Sequence, residues 1–307
     1  MPKSDFISVA DFSAQRLEHL LATAFSFKRD GPTPYLSGKT LALLFEKPSL
    51  RTRVSFDVGM HQLGGHTIYL GPTEVGLGNR EPVEDVARVL SRYVDVIVAR
   101  TYSHHTVEGL AKFCSIPVIN GLSDVEHPCQ AIGDFLTIRE KLGRVSDVNI
   151  AYIGDGNNVA TSLLYASALF GANFRFASPE GYELPDAVAA RARLLQRNGG
   201  RIEFIADPVR AVKDADVVYT DVWTSMGSEA EADVRKDDFQ GFQVTPALLA
   251  AAKPNAIFMH PLPAHDGEEV SDGLLSHPQS VVFDQAENRM HAQKAILVEL
   301  LSADTRR

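Results

Sequence analysis

The sequence is poor in cysteine and has no long apolar run. Its two cysteines, Cys114 and Cys129, form no CxxC pair and so suggest neither a disulfide framework nor a zinc knuckle. No stretch approaches the roughly 20 apolar residues of a membrane span. The first residues contain Asp5 and Asp11 and lack the apolar core of a secretory signal. We therefore expect a reduced, cytoplasmic protein without a membrane partner.

Basic residues are also in the minority. The 307 residues include 30 Lys and Arg against 39 Asp and Glu, which gives a net charge of −9. This charge argues against a nonspecific nucleic-acid partner. A local basic cluster is therefore informative in this chain, and one occurs where Ser49, Arg51, Thr52 and Arg53 follow an apolar run directly.

Short apolar runs alternate with amphipathic segments along the whole chain. The predicted helices include 50–63, 82–93, 104–113 and 287–301. The predicted strands are 41–46, 66–71, 95–100, 116–121, 148–155, 174–179, 202–207, 216–221, 256–261 and 280–285. Such alternation indicates parallel sheets that helices cover on both faces. Two successive arrays predict an α/β protein of two doubly wound parallel-sheet (Rossmann-like) domains, with the active site in the cleft between them.

The predicted domain boundaries follow from these arrays. We expect a first domain over 1–133, a connecting helix over 134–146, a second domain over 147–286 and a C-terminal helix over 287–307 that returns to the first domain. Ligands of open parallel sheets bind beyond the carboxyl ends of the strands. Polar motifs follow several predicted strands at these ends, namely EKPSLRTR, Arg100, NGLSDVEHPCQ, GDGNN, DVWTSMG and HPLPAH.

The first of these motifs has the features of an anion site. Ser49 is a favourable N-cap for the helix that follows it. The free N–H groups and the dipole of a helix N-terminus favour an anion, and Arg51 and Arg53 add donors that match phosphate oxygens. The alternative is a surface helix start with incidental charge.

The other motifs allow more than one interpretation. His127 and Arg100 are each also compatible with a purely structural role. GDGNN partly matches a dinucleotide fingerprint without its third glycine, so a nicotinamide dehydrogenase is the main alternative from another class. Asn157 and Asn158 either cap a helix or offer amides to a polar ligand. His260, His265, Asp266 and Glu269 fit no common zinc spacing, and we predict no metal.

Together these motifs resemble the aspartate/ornithine carbamoyltransferase family, and its ornithine branch most closely. The resemblance extends from about Leu41 to Leu300. Six motifs carry it in order: FEKPSLRTR, HPCQ, GDGNN, DVWTSMG, HPLP and FDQAENRMH. DVWTSMG is similar to the ornithine-binding loop, which the aspartate enzymes lack.

The resemblance implies a role for residues in each half of the chain. The residues implied for carbamoyl phosphate are Ser49, Leu50, Arg51, Thr52, Arg100, His127, Gln130, Pro261, Leu262 and Arg289. Those implied for ornithine are Asn158, Asp221, Ser225 and Met226. The implied catalytic residues are Arg51, Thr52, Arg100, His127, Asp221, Pro261 and Arg289.

Three positions depart from the family pattern. Leu50 stands where many members have threonine, although its backbone N–H can still bind phosphate. Gly76 stands where many members have a glutamine that reaches into a neighbouring subunit's site. Pro261 replaces the cysteine that is usual in ornithine enzymes and matches the aspartate branch.

The resemblance implies transfer of the carbamoyl group from carbamoyl phosphate to the δ-amine of L-ornithine, as in arginine biosynthesis or its catabolic reverse. It implies a homotrimer without a cofactor. Aspartate, putrescine and N-acetylornithine remain as alternative acceptors. A non-catalytic relative would have lost the arginines, and all three are present as Arg51, Arg100 and Arg289.

Overall fold

A computed structural model describes residues 3–77, 80–197, 199–225, 227 and 229–302. The chain divides into two compact units. Unit 1 extends to Leu136 and resumes at Glu287, and unit 2 covers Thr137–Ala286. Each division falls inside a helix, the first in α6 (Pro128–Leu142) and the second in α12 (Val282–Ser302). No helix of the described ranges is long and apolar enough to cross a membrane.

Unit 1 contains a four-stranded parallel sheet with the order β2-β1-β3-β4. Its strands are β1 (Thr40–Phe45), β2 (His66–Leu70), β3 (Val96–Arg100) and β4 (Val118–Leu122). Its helices are α1 (Ala14–Asp30), α2 (Leu50–Gln62), α3 (Pro72–Val75), α4 (Val83–Leu90) and α5 (His104–Phe113), with a short 3₁₀ helix at Val9–Asp11. The central strands are apolar because both faces are covered, and residues 41–45 and 96–100 are all buried.

Unit 2 contains a five-stranded parallel sheet with the order β7-β6-β5-β8-β9. Its strands are β5 (Asn149–Ile153), β6 (Asn173–Ala177), β7 (Ile202–Phe204), β8 (Val217–Tyr219) and β9 (Ile257–Met259). Its helices are α7 (Asn158–Phe170), α8 (Asp186–Leu195), α9 (Pro208–Val212), α10 (Ala232–Asp238) and α11 (Pro246–Ala250), with short 3₁₀ helices at Glu229–Glu231 and Leu274–Ser276. α7 is buried along its length, which explains its almost uniformly apolar sequence.

The strand orders place one switch point in each sheet. β1 has β2 on one side and β3 on the other, and β5 likewise lies between β6 and β8. The chain leaves neighbouring strands in opposite directions there, which opens a crevice at their carboxyl ends. Phe45 and Arg100 are paired at the ends of β1 and β3. Four of the six polar motifs follow strands that border these crevices, namely EKPSLRTR, Arg100, GDGNN and DVWTSMG.

The predicted fold class is confirmed, and one predicted element is wrong. Each predicted strand from 41–46 to 256–261 overlaps an observed strand. The predicted strand 280–285 is instead the start of α12, which begins at Val282 rather than at 287. Ser280 forms an isolated bridge to Phe258 of β9, and the Val281 amide donates to the Phe258 carbonyl at 3.0 Å. A short apolar run such as SVVF is compatible with either a buried strand or a buried helix turn.

Candidate active site

The start of α2 is capped by the serine that the sequence singles out. Ser49 Oγ accepts a hydrogen bond from the Thr52 amide at 3.3 Å. A hydroxyl that accepts one hydrogen bond can still donate its own proton. Leu50 opens the helix with its side chain 75% exposed. The first backbone N–H groups of α2 and the Ser49 hydroxyl thus form a cluster of donors at the end of β1.

Three arginines of unit 1 converge beside this helix start. Arg100 ends β3, and Arg289 of α12 donates from Nη2 to Thr52 Oγ1 at 3.1 Å. Both guanidiniums are buried. Burial lowers the pKa of Arg100 to about 10, and the charges of Arg289 and Arg51 contribute to this shift. Arg100 stays protonated at neutral pH, so the cluster holds mutually repelling cations that an anion would stabilise.

His127 and Gln130 complete the group at the start of α6. His127 is buried, and its pKa lies well below the usual value because of burial and then the charges of Arg289 and Arg100. The imidazole is therefore neutral at physiological pH. Gln130 Nε2 donates to Asp134 Oδ1 at 2.8 Å, while Gln130 Oε1 is buried without a hydrogen-bond partner among the described residues. This oxygen is an acceptor suited to an N–H group.

Arg289 is positioned by a glycine that the sequence analysis did not identify. Gly133 of α6 faces α12, and a Cβ at Gly133 would lie 3.0 Å from Arg289 Cγ and 3.1 Å from Arg289 Cα. Only glycine permits this approach of the two helices without displacement. The signal in the sequence is weak, since one glycine within QAIGDFL has no distinctive spacing.

Arg53 does not belong to this cluster, contrary to the sequence interpretation. Its guanidinium lies over the Tyr69 ring, 3.8 Å from the centroid. Residues one position apart on a helix point in different directions, so Arg53 cannot share the orientation of Thr52. Gly76, the second unusual position, has φ +57 at the end of α3, a left-handed conformation that glycine adopts most readily.

In unit 2, Asp221 and the loop after β5 form the second group of polar side chains. Asp221 lies just beyond β8 and is buried. Asn157 Nδ2 donates to Asp221 Oδ2 at 2.8 Å, while Asn157 Oδ1 accepts from the Val159 and Ala160 amides at 3.0 and 3.1 Å. Asn157 therefore caps α7 and orients Asp221 at the same time. The cap is one of the two roles that the sequence predicted for Asn157, whereas no local pattern indicates its contact with Asp221.

The environment of Asp221 favours a cationic partner. Burial raises the pKa of Asp221, and hydrogen bonds from the Val222 amide and Asn157 oppose that shift. A buried carboxylate is stabilised by a cation placed against it. Asn158 is the first residue of α7, next to Asn157. Ser225 lies four residues beyond Asp221 and is half-buried, whereas Met226 lies outside the described residues.

The HPLP segment follows β9 and is fixed by His260. Its Nδ1 accepts from the Leu262 amide at 2.9 Å, and its Nε2 lies 3.1 Å from Glu269 Oε1. These contacts assign the proton to Nε2. Leu262 has φ +59 and precedes a cis peptide bond to Pro263. Pro261 and Leu262, implied for carbamoyl phosphate, thus lie in unit 2, whereas the rest of that set lies in unit 1.

The acidic group near HPLP has partners of its own. Ligand-type atoms of His265, Glu268 and Glu269 lie within 4.8 Å of one another. Glu268 is ion-paired with Lys236 at 2.9 Å, and Glu269 Oε1 also accepts from the His265 amide at 2.6 Å. Glu268 therefore has a cationic partner, and Glu269 Oε1 has an N–H partner, within the chain.

The second glycine of GDGNN serves chain packing. A Cβ at Gly156 would lie 2.6 Å from the Glu183 carbonyl carbon and from the Leu184 nitrogen. The backbone after β5 therefore needs glycine to pass the 183–184 backbone. This contact explains the second glycine without a bound pyrophosphate, and Gly154 has φ +144, a conformation that glycine adopts most readily.

Fold and site together define an α/β protein with a buried cationic site in one unit and a buried carboxylate site in the other. Residues 4–140 match the carbamoyl-P binding domain of aspartate/ornithine carbamoyltransferase, and residues 146–300 match its Asp/Orn binding domain. The chain belongs to the aspartate/ornithine carbamoyltransferase family, as the sequence motifs predicted.

Individual relatives agree with this assignment. The chain is 54% identical over 298 residues to an ornithine carbamoyltransferase of Thermococcus kodakarensis, with 95% of each chain covered. It is 53% identical, with the same coverage, to an anabolic ornithine carbamoyltransferase of Pyrococcus furiosus. A solved structure of ornithine carbamoyltransferase from Pyrococcus furiosus superposes with a TM-score of 0.93 at 51% identity, covering 98% of this chain and 97% of the other.

Proposed function

We propose that this protein transfers the carbamoyl group of carbamoyl phosphate to the δ-amine of L-ornithine, giving L-citrulline and phosphate. One observation carries the proposal, namely the convergence of Arg51, Arg100 and Arg289 around neutral His127 beside a capped helix start. Names of the similar proteins support ornithine as the acceptor. The dehydrogenase alternative has no remaining support, because chain packing and backbone conformation explain the two glycines of GDGNN.

The start of α2 would hold the phosphate. The Ser49 hydroxyl, the Leu50 backbone N–H and the Arg51 guanidinium are donors for phosphate oxygens, and the helix dipole adds a favourable potential. The same contacts stabilise phosphate as it leaves with increasing negative charge. Leu50 does not weaken this role, since only its backbone takes part.

The buried part of the cluster would hold the carbamoyl group. Arg100, His127 and the Thr52 hydroxyl are donors for the carbonyl oxygen, which becomes an oxyanion during attack. A donor aimed at an oxyanion contributes about 3 kcal/mol to transition-state stabilisation. His127 donates as a neutral imidazole, consistent with its lowered pKa. Gln130 Oε1 is an acceptor for the carbamoyl NH₂. Arg289 would bind beside Thr52, to which it already donates.

Unit 2 would hold ornithine. Asp221 is the partner for the α-ammonium group, because a buried carboxylate gains most from a cation. We assign Asn158, Ser225 and Met226 to the rest of the amino acid, as the family motif implies. The Pro261 carbonyl, and the Leu262 backbone next to it, would face the δ-amine.

The reaction needs no group outside the two substrates and these residues. The neutral δ-amine of ornithine attacks the carbamoyl carbon, and a C–N bond forms. The bond between that carbon and the bridging oxygen breaks, and this oxygen leaves as part of phosphate. The proton lost by the amine passes to the departing phosphate. Alignment of the two substrates can lower the activation free energy of the reaction by up to about 7–11 kcal/mol.

The test is an acceptor assay. Purified protein is incubated with carbamoyl phosphate and, separately, ornithine, aspartate, putrescine or N-acetylornithine, and each carbamoylated product is quantified. We expect citrulline to form fastest. Pro261 is the feature that favours aspartate, whereas the acids of 221–232, which outnumber its bases, would repel a second carboxylate. Faster carbamoylation of aspartate would overturn the acceptor assignment.

We further propose a homotrimer that works in the cytoplasm in the biosynthetic direction. Three side chains on one face of α2, Leu50, Val54 and Val58, are 75%, 48% and 40% exposed, which supports burial against another copy. Light scattering after size-exclusion chromatography should give three times the chain mass. The buried free thiols of Cys114 and Cys129 support a reducing compartment. One relative named as anabolic supports the direction.

A further inference from the structure

Arg235 of α10 connects two strand-end loops of unit 2. Its Nη1 donates to the Trp223 carbonyl at 2.9 Å and lies 3.2 Å from Asp155 Oδ2. Its Nε donates to Glu231 Oε2 at 3.0 Å. Asp155 follows β5, and Trp223 follows β8. One guanidinium therefore spans two loops that follow neighbouring strands of the sheet.

Aromatic contacts strengthen this connection. The Arg235 guanidinium carbon lies 4.9 Å from the Tyr182 ring centroid. Phe239, one turn further along the chain, contacts the Trp223 indole at 5.4 Å and the Tyr182 ring at 4.7 Å between centroids. Trp223 and Phe239 are both buried. Arg235 of α10 thus holds the backbone of Trp223, and Phe239 at the end of α10 holds its side chain.

The residues on either side of Trp223 are those assigned to ornithine. Asp221 lies two residues before Trp223, and Ser225 lies two residues after it. Asn157, two residues beyond Asp155, holds Asp221 directly. The two loops are therefore joined twice, once by Asn157 and Asp221 and once by Asp155, Arg235 and Trp223.

We propose that Arg235 is a positioning residue of the ornithine site, because its contacts with Asp155 and the Trp223 carbonyl fix the loop that carries Asp221 and Ser225. This inference rests on the proposed function. Arg235 need not touch ornithine. A lysine cannot fully replace it, since a single ammonium lacks the planar fork that reaches the carboxylate, the carbonyl and Glu231 together.

The first test compares Arg235→Gln with Lys236→Gln. Lys236 is the next residue of the same helix and carries the same charge, but it is about half-exposed and pairs with Glu268. In R235Q we expect the KM for ornithine to rise at least about tenfold, because a displacement of ~1 Å in the site can lower the reaction rate about 100-fold. The KM for carbamoyl phosphate should stay within about twofold of the parent. K236Q should leave both constants within about twofold.

Two further variants separate positioning from general structural damage. Asp155→Asn keeps the shape of Asp155 and removes its charge, so it should raise the ornithine KM in the same direction as R235Q. Arg235→Lys should give an intermediate value. Equal losses toward both substrates, or an ornithine KM unchanged in folded R235Q, would overturn the proposal.

The second test does not depend on activity. Trp223 is the only tryptophan of the chain, so tryptophan fluorescence reports on this loop alone. The emission of R235Q should shift to longer wavelength as the indole gains water, and that of K236Q should match the parent. Emission that is identical in R235Q and the parent would refute the contact itself. If the parent makes no citrulline, the proposed function fails while the fluorescence still decides whether Arg235 holds the loop.

Discussion

At the scale of single residues, the helix start at Ser49 combines a stabilising cap with the proposed binding site. Ser49 Oγ accepts a hydrogen bond from the Thr52 amide, and this bond fixes the orientation of the first N–H groups of α2. The arginines nearby repel one another, which is a cost that the folded protein bears without ligand. Such a cost is typical of a site arranged to stabilise charge that the ligand brings.

Arg51 and Arg53 offer a matched pair of mutations in this helix turn. Arg51→Ala should lower kcat/KM about 100-fold or more, a loss of about 3 kcal/mol, because it removes charge from the phosphate site. Arg53→Ala should stay within about fivefold of the parent, since Arg53 lies over Tyr69. Steady-state kinetics at varied carbamoyl phosphate, with circular dichroism as the folding control, decides the matter. Near-parental kinetics of R51A would remove the phosphate assignment.

Asp155 gives the chain a specific dependence of stability on pH. Burial raises the pKa of Asp155 from 3.8 to about 6, Arg235 opposes the shift, and Asp221 adds to it. The folded state therefore holds the proton more tightly than the unfolded state, so this group lowers stability as pH rises from 3.8 to about 6.

Comparison with Asp155→Asn isolates this effect. The unfolding temperature of the parent, relative to that of D155N, should fall between about pH 4 and 6.5 and then stay level. Thermal melts of both proteins in matched buffers test it. A constant difference across the window would show that the Asp155 carboxyl has no raised pKa.

The sequence motifs indicate the charged residues that the structure brings together better than the residues that hold them. Arg51, Arg100 and Arg289 fall in recognisable motifs. The structure brings them close enough together that the charges of Arg51 and Arg289 contribute to lowering the pKa of Arg100. The roles of Gly133 and Arg235 depend on contacts between segments distant in sequence, which no local pattern encodes. The contact of Arg53 with Tyr69 likewise joins segments that no local pattern connects.

At the scale of elements, the packing of α6 against α12 determines where Arg289 lies. Gly133→Ala would place a methyl group 3.1 Å from Arg289 Cα, and backbone cannot yield as a flexible side chain does. We expect the KM for carbamoyl phosphate to rise at least about tenfold as Arg289 is displaced. Overpacking of this kind also costs roughly 1–3 kcal/mol of stability.

Gly109→Ala is the control for this helix substitution. Gly109 also lies within a helix, but its Cβ would meet only the Val83 side chain, at 3.2 Å. Alanine is favoured over glycine in helices by up to about 1 kcal/mol, so G109A should be neutral or slightly stabilising with unchanged kinetics. Equal kinetics for G133A and the parent would show that α12 tolerates the methyl group without moving Arg289.

The error at 280–285 shows where element prediction from sequence reaches its limit. The run SVVF has the β-branched residues of a strand, and a strand would have continued the alternating pattern. The sheet of unit 2 ends at β9, and the run instead starts α12 with Val282 buried. A buried first helix turn removes these apolar residues from water as well as a buried strand would. The composition alone therefore does not decide between helix and strand.

At the scale of the whole molecule, the residues proposed for the two substrates are divided between the two compact units. The phosphate donors and the three arginines belong to unit 1, whereas Asp221, Ser225 and the HPLP segment belong to unit 2. Except for Arg289 of α12, each set follows strands of its own sheet. Binding of one substrate should therefore be separable from binding of the other by mutation.

Asp221→Asn tests this division. The variant loses the charge that would hold the ornithine ammonium, while the carbonyl oxygen of the introduced amide can still accept the hydrogen bond from Asn157. The KM for ornithine should rise about 100-fold, which corresponds to about 2.7 kcal/mol, since a buried charged contact is lost. The dissociation constant for inorganic phosphate, measured by isothermal titration calorimetry, should stay within about twofold of the parent.

Titration of the parent protein with each ligand extends the same test. Phosphate should bind in the absence of ornithine, because every residue assigned to carbamoyl phosphate except Pro261 and Leu262 lies in unit 1. Ornithine alone should bind weakly and gain affinity when phosphate or carbamoyl phosphate is present, as expected if the first ligand favours the conformation that receives the second. Tight binding of ornithine without any anion would contradict this order. A D221N protein that loses affinity for phosphate as strongly as for ornithine would contradict the division of the two substrates between the units.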